Sequence, residues 1–238
     1  MKEGVVKING YNPQPGDVKF KDLRPDGVIN AGDNTVDNPG DRKIIGNDAA
    51  RYQFGISLGA SYKGWSLEVL LQGVGKRDYW LGGPAMFPFG GAGAGDAVFQ
   101  ALYANQTDYW RAKSYDPSSS DYMVPVNPDS KLFRIYDQGN NVGSNTRVSD
   151  KYLQNAAYMR IKNITLAYTL PKEWVRRAFI QDAKFYLSIE NLATFSSLPK
   201  GYDPEGTAPS STANALSNGI SWGYPYYRTI SLGASITF

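Results

Sequence analysis

From Tyr52 onward a strict period of two governs the chain. Tyr52, Phe54, Ile56, Leu58, Ala60 and Tyr62 fall on one side of an extended backbone, and Gln53, Gly55, Ser57, Gly59 and Ser61 on the other. Alternation of that length belongs to a β-strand whose faces meet different surroundings. Lys63-Gly64 follows as a two-residue turn, after which Trp65, Leu67, Val69 and Leu71 resume the apolar side. The stretch predicts a hairpin of two strands, each of about ten residues. Further strands are predicted where Ile164, Leu166, Tyr168 and Leu170 alternate with Thr165, Ala167 and Thr169, and over Ala183–Leu192, where Phe185, Leu187 and Ile189 share a face. The last strand sets Ile230, Leu232, Ala234, Ile236 and Phe238 against Thr229, Ser231, Gly233, Ser235 and Thr237. Helix is scarce, and Pro171–Ile180 is the best short candidate. The expected class is all-β and antiparallel.

The second face narrows the architecture. A soluble sandwich wets its outer face, which is usually rich in Lys and Glu. Here that face carries mostly Ser, Thr, Gly and Gln, with Tyr or Trp near several strand ends. Small polar residues inside, aliphatics outside and aromatics at the rims describe a transmembrane β-barrel segment. A secreted antiparallel sandwich remains the alternative. No apolar run approaches the roughly 18 residues of a membrane helix, which leaves a barrel untouched.

Connection lengths add a second pattern. The links run short, long, short, long: two residues, about eighty, about twelve and about thirty, as in barrels with short periplasmic turns and long extracellular loops. Both short links then lie on the periplasmic side, and residues 1–49 form an extracellular loop region ahead of the strands and loops of 50–238. With no cysteine and no histidine, the chain has no thiol nucleophile, no Ser-His-Asp triad, no His or Cys zinc site and no disulfide. A net charge of +3 without a Lys/Arg cluster does not favour nucleic acid. No pair of acids is placed for glycoside hydrolysis, and no enzymatic chemistry is expected.

The C-terminus is the most specific local feature. Ser231, Gly233, Ile236 and the terminal Phe238 resemble the insertion signal that outer-membrane barrels present to the barrel assembly machinery. Such a strand must be recognised before its open edge is paired.

Longer phrases carry a family resemblance. PGDVKFKDLRPDGVINAGD (15–33), DRKIIGN (41–47), SLGASYKGWSLEVLLQGVGKRD (57–78), YLQNAAYMRIKNITLAYTLP (152–171) and FYLSIENLATFSSLPKGYDPE (185–205) stand in order before the final strand. Together they resemble the C-terminal part of the SusC/RagA family of TonB-dependent outer-membrane transporters of Bacteroidetes. The resemblance implies the C-terminal strands of a 22-stranded barrel in a Gram-negative outer membrane. It also implies import of oligosaccharides or peptides with a SusD-like surface lipoprotein, powered by a TonB-type protein acting on a plug. The plug and early strands have no counterpart here, and five strands cannot close, so the chain is expected to be a fragment that does not transport alone.

Two groups of side chains are candidate ligand sites. Asp22–Asp33 has the spacing of a twelve-residue calcium loop, with Asp22, Asp26, the Val28 carbonyl, Asn30 and Asp33 as ligands and Gly27 at the sharp turn. Arg24 stands where an oxygen ligand is needed, and Asn34–Gly40 reads as an insertion, since the family's closing acid–Arg pair better matches Asp41-Arg42. The same residues fit a tight acidic turn capped by its own Asx bonds, so no cofactor is required and calcium is one alternative. In the loops, Trp80, Trp110, Trp222 and Tyr224 suit stacking on sugar rings, or packing of the loops on each other. A secreted, calcium-linked carbohydrate-binding β-sandwich is the function that would follow if no membrane were involved.

Overall fold

The computed structural model describes residues 7–8, 12–80, 87, 104–135, 144–200, 202–206 and 226–238. Five long strands form one antiparallel sheet in chain order: β1 Arg51–Tyr62, β2 Trp65–Lys76, β3 Tyr158–Thr169, β4 Asp182–Ser196 and β5 Thr229–Thr237. All five are those the alternation predicts. Lys63 (φ +45) and Gly64 (φ +87) both turn left-handed between β1 and β2, as a type I′ hairpin requires. The predicted short helix is present as one α-turn, Lys172–Val175, continued by a 3₁₀ turn over Arg176–Ala178. Among the described residues no helix is long and apolar enough to cross a membrane.

β3 and β4 run further than the alternation shows, because the period breaks inside them. Ile161 pairs with Ala193 and Asn163 with Glu190 on β4, while Leu71 and Leu70 of β2 take Ile161 and Asn163 consecutively. One extra residue, Lys162, therefore sits in β3 against β2, and another sits in β4, where Asn191 has φ +51. Each is a β-bulge, which bends its strand and re-aims the side chains beyond it. Ile161 and Met159 return to the apolar face at a spacing that a strict period of two does not permit.

Cross-strand register places the apolar residues in rows across the sheet. The central row is Leu58, Val69, Ile164, Ile189 and Ile230, followed towards the short turns by Ala60, Leu67, Leu166, Leu187 and Leu232. Tyr62, Trp65, Tyr168 and Phe185 close that end, with the Trp65 and Tyr168 ring centroids 4.7 Å apart. Phe54, Met159 and Phe195 lie at the other end. Residues 54 and 62 are separated by about 26 Å of strand, the scale of a lipid-facing band on tilted strands. The face is open: Leu232 is 84% exposed and Ile230 65%. In water each such side chain forgoes about 1.5–3 kcal/mol of burial.

The chain divides into two compact units, with boundaries at Gly46/Asn47, Tyr79/Trp80 and Leu153/Gln154. The unit without the large sheet is loop-rich. Its core is Val18, Phe87, Leu132, Phe133 and Tyr152, against which Phe20, Trp80 and Tyr109 pack. Asn145, fully buried, ties its strands of loop together. Its side-chain carbonyl accepts the Val18 N–H (2.8 Å) and its amide donates to Asp17 (2.8 Å), satisfying groups that would otherwise be stranded in the core.

Candidate functional site

The chemistry of the sheet lies on the face opposite the apolar rows. Alternation brings Asn163, Thr165 and Ser188 together there: Asn163 donates to Ser188 (2.9 Å), and the Thr165 hydroxyl donates to the Asn163 carbonyl (2.8 Å) and lies 3.2 Å from Ser188. Further along β3, the bulge places Arg160 and Lys162 against residues 202–206, which return to the sheet from the link after β4. Arg160 is 2% exposed. Its guanidinium donates to Asp203 (2.7 Å) and to the Thr194 hydroxyl (2.8 Å), and lies 3.3 Å from Glu205. Lys162 donates to the other Glu205 oxygen at 2.8 Å. The Tyr226 ring caps the group, 5.0 Å from the Arg160 guanidinium carbon and 4.3 Å from the Lys162 ammonium.

Two cations and two carboxylates are thereby neutralised in a largely buried clasp. Burial alone would raise the Asp203 carboxyl, but N–H bonds from Glu205 and Tyr226 and the Arg160 guanidinium outweigh it and hold it below the usual 3.8. Both acids of the Tyr202–Glu205 phrase are committed to cations. The clasp joins residues some forty positions apart and is not visible as a motif. The traces it leaves in sequence are two charges interrupting a strand and an acid pair in the loop phrase.

The candidate calcium residues fold as a self-capped loop. Asp22 accepts the N–H groups of Gly27 (2.9 Å) and Arg24 (3.2 Å), Asp26 accepts that of Val28 (2.9 Å), and Asn30 accepts that of Gly32 (2.7 Å). Asp33 accepts the Asn38 amide at 2.7 Å. The closing acid is Asp41, which accepts N–H bonds from Leu23 (2.8 Å), Arg24 (3.3 Å) and Asn30 (2.8 Å). Burial would raise its carboxyl, and those three bonds reverse the shift and lower it. Asn34–Gly40 is an excursion closed at its base by left-handed Gly32 and Gly40, whose backbones approach so closely that a Cβ on Gly40 would overlap the Gly32 nitrogen. Among the described residues, no three acidic groups gather as a metal site.

The aromatic candidates separate. Trp80 packs on Phe87 in the loop-rich core, with ring centroids 5.8 Å apart and planes tilted by 45°. Trp110, 7% exposed, lies flat on Gly16, where a Cβ would meet its ring at 2.5 Å. One edge of it lines a cavity of about 510 Å³ with Val18, Phe20, Leu132, Lys19 and Ser149. Trp222 and Tyr224 lie outside the described residues. Of the insertion-signal residues, Ser231 pairs with Ser188, and Ile236 pairs with Ala183 in register with the apolar rows. Phe238 is exposed beyond the strand. Gly233 lies beneath the Tyr186 ring, and a Cβ at this position would make the partly exposed ring turn aside.

No protein-family model matches the chain. Two curated proteins of Formosa agariphila do. "TonB-dependent receptor P3" is 26% identical over 241 residues, covering 99% of this chain and 20% of the relative. "TonB-dependent receptor P26" is 24% identical over 225 residues, covering 94% of this chain and 20% of the relative. Solved structures include those described as "Structure of the RagAB peptide transporter" (25% identity, TM-score 0.45) and "Structure of the RagAB peptide importer in the 'open-open' state" (22%, TM-score 0.43). Each covers 78% of this chain and 17% of the solved chain. The chain spans about a fifth of the length of the curated relatives it matches. Over nearly its whole length it is similar to TonB-dependent receptors, the resemblance that its own ordered phrases carry.

Proposed function

We propose that this chain is the C-terminal section of the barrel wall of a SusC-like TonB-dependent transporter in a Gram-negative outer membrane. Its five strands supply part of a 22-stranded barrel, with residues 1–49 as an extracellular loop region. The complete protein imports oligosaccharides or peptides with a SusD-like lipoprotein, driven by a TonB-type protein through a plug outside this sequence. Ser231, Gly233, Ile236 and Phe238 present the last strand to the assembly machinery. Five strands leave two edges of unpaired backbone groups, so the section does not transport alone.

The observation that carries this is the uncovered apolar face, ordered in rows between two aromatic ends and backed by a hydrogen-bonded Ser/Thr/Asn face. A soluble sandwich would lay a second sheet about 10 Å above those rows, whereas Leu232 and Ile230 stand open. The test is fractionation of native cells, with an antibody against the exposed 113–122 loop. The expected result is an outer-membrane band whose gel migration shifts on boiling, as folded barrels do. A soluble or secreted band with no such shift would overturn the proposal in favour of a carbohydrate-binding sandwich.

A further inference from the structure

The turn between β3 and β4 has the composition of a contact surface and stands largely exposed. Lys172–Val175 and the 3₁₀ turn behind it bury one side chain, Val175. Trp174 is 64% exposed and Phe179 93%. Phe179 also occupies the left-handed region (φ +61, ψ 26), where its N–H closes the turn onto the Arg176 carbonyl at 3.2 Å. Glycine is the usual residue at such a helix end, and a bulky side chain there is held at a cost. The fold therefore keeps a left-handed aromatic whose side chain is almost wholly exposed. Around it Lys172, Arg176 and Arg177 are exposed, and among the described residues none of them forms an ion pair. Glu173 and Asp182 are the acids of the segment.

The place of this turn identifies its partner. It emerges directly beyond the Tyr168–Phe185 pair, at the end of the sheet where Tyr62, Trp65, Tyr168 and Phe185 form the aromatic row and Lys63 lies 5.2 Å over the Tyr62 ring. Apolar rows, then amphipathic rings, then exposed cations with two exposed aromatics is the order in which a bilayer presents hydrocarbon, interface and phosphate. We propose that residues 172–179 bind anionic phospholipid headgroups, with Lys172, Arg176 and Arg177 on the phosphates and Trp174 and Phe179 seated at the acyl boundary. The anchor presupposes the membrane placement proposed above. A neutral partner surface would leave the three cations without complement, and each cation near an anionic lipid surface contributes about a fivefold gain in affinity.

The experiment uses the full-length natural protein, purified in detergent and titrated with phosphatidylglycerol or phosphatidylcholine under native mass spectrometry. The expected result is preferential binding of phosphatidylglycerol. The variant Lys172→Gln/Arg176→Gln/Arg177→Gln should weaken that binding at least tenfold. An equal charge loss at Lys19→Gln/Lys43→Gln/Lys131→Gln should leave it unchanged. Phe179→Gly relieves the left-handed backbone and keeps the turn, so it should bind both lipids several-fold more weakly without loss of thermal stability. Equal binding of the two lipids, or equal loss in the two triple variants, would overturn the anchor while leaving the barrel intact. A protein recovered soluble without detergent would remove both proposals together.

Discussion

A depth profile of arginine substitutions along β5 tests the membrane placement where it is most exposed. Ile230, Leu232 and Ala234 share the apolar face, while Ser231 between them points to the opposite one. Register puts Ile230 in the central row, Leu232 one row nearer the short turns and Ala234 in the aromatic row. One row is two residues, about 6.7 Å of strand, which a tilt of about 40° reduces to about 5 Å of depth. Ile230 then lies near the midplane, Leu232 about 5 Å from it and Ala234 about 10 Å, close to the edge of a band about 25 Å tall. Arginine should cost about 2–4 kcal/mol at Ile230, about 1.5–2.5 at Leu232 and about 0–1 at Ala234. At Ser231 it should cost no more than at Ala234, since that face is polar. The assay is reversible urea unfolding of the full-length protein in thin-bilayer vesicles, read as shifts in midpoint at constant slope. A flat profile within about 0.5 kcal/mol, as expected of any exposed surface in water, would refute the reasoning, as would a Ser231→Arg cost matching that of Ile230→Arg.

Further outcomes follow from the polar face and the loops. Asp203→Ala strands the nearly inaccessible Arg160 with Glu205 at 3.3 Å as its remaining acid, and should cost about 3 kcal/mol by the same unfolding assay. Because the folded Asp203 carboxyl is lowered, its contribution is complete above the usual 3.8 and disappears as pH falls through the lower folded value, so the wild-type advantage over Asp203→Ala should shrink below pH ~4. Gly233→Ala turns the partly exposed Tyr186 ring off its seat and should cost about 1 kcal/mol or less, recovered in Gly233→Ala/Tyr186→Ser, since the clash is with the end of that side chain. Asp41→Asn should destabilise the loop-rich unit by about 1–2 kcal/mol, measured by faster hydrogen exchange at Leu23 and Asn30. Calcium at millimolar concentration should leave that exchange unchanged, because among the described residues no three acidic groups gather to hold it.

How far sequence reaches into this structure depends on whether a residue's role is repeated by its neighbours. The strands are legible because each apolar residue is supported by others at i±2, so Leu58 and Leu232 declare the same face without knowledge of their register. The rule fails where one residue breaks the repeat for a distant partner. Alternation does not mark Lys162, just ahead of the run from Ile164, or Asn191, inside Ala183–Leu192, as extra residues, and the structure makes both sites bulges. The bulges and the clasp then explain each other. A strict period of two through 158–164 would set Met159 and Ile161 on the polar face with Asn163, and Arg160 and Lys162 among the apolar rows. One inserted residue exchanges them, returning Met159 and Ile161 to the apolar face and leaving Arg160 free to meet Asp203 and Glu205. The exchange keeps both cations off the apolar rows, where a charge without a partner is costly. On the polar face Arg160 meets Asp203, Glu205 and the Thr194 hydroxyl, partners that the apolar rows do not offer.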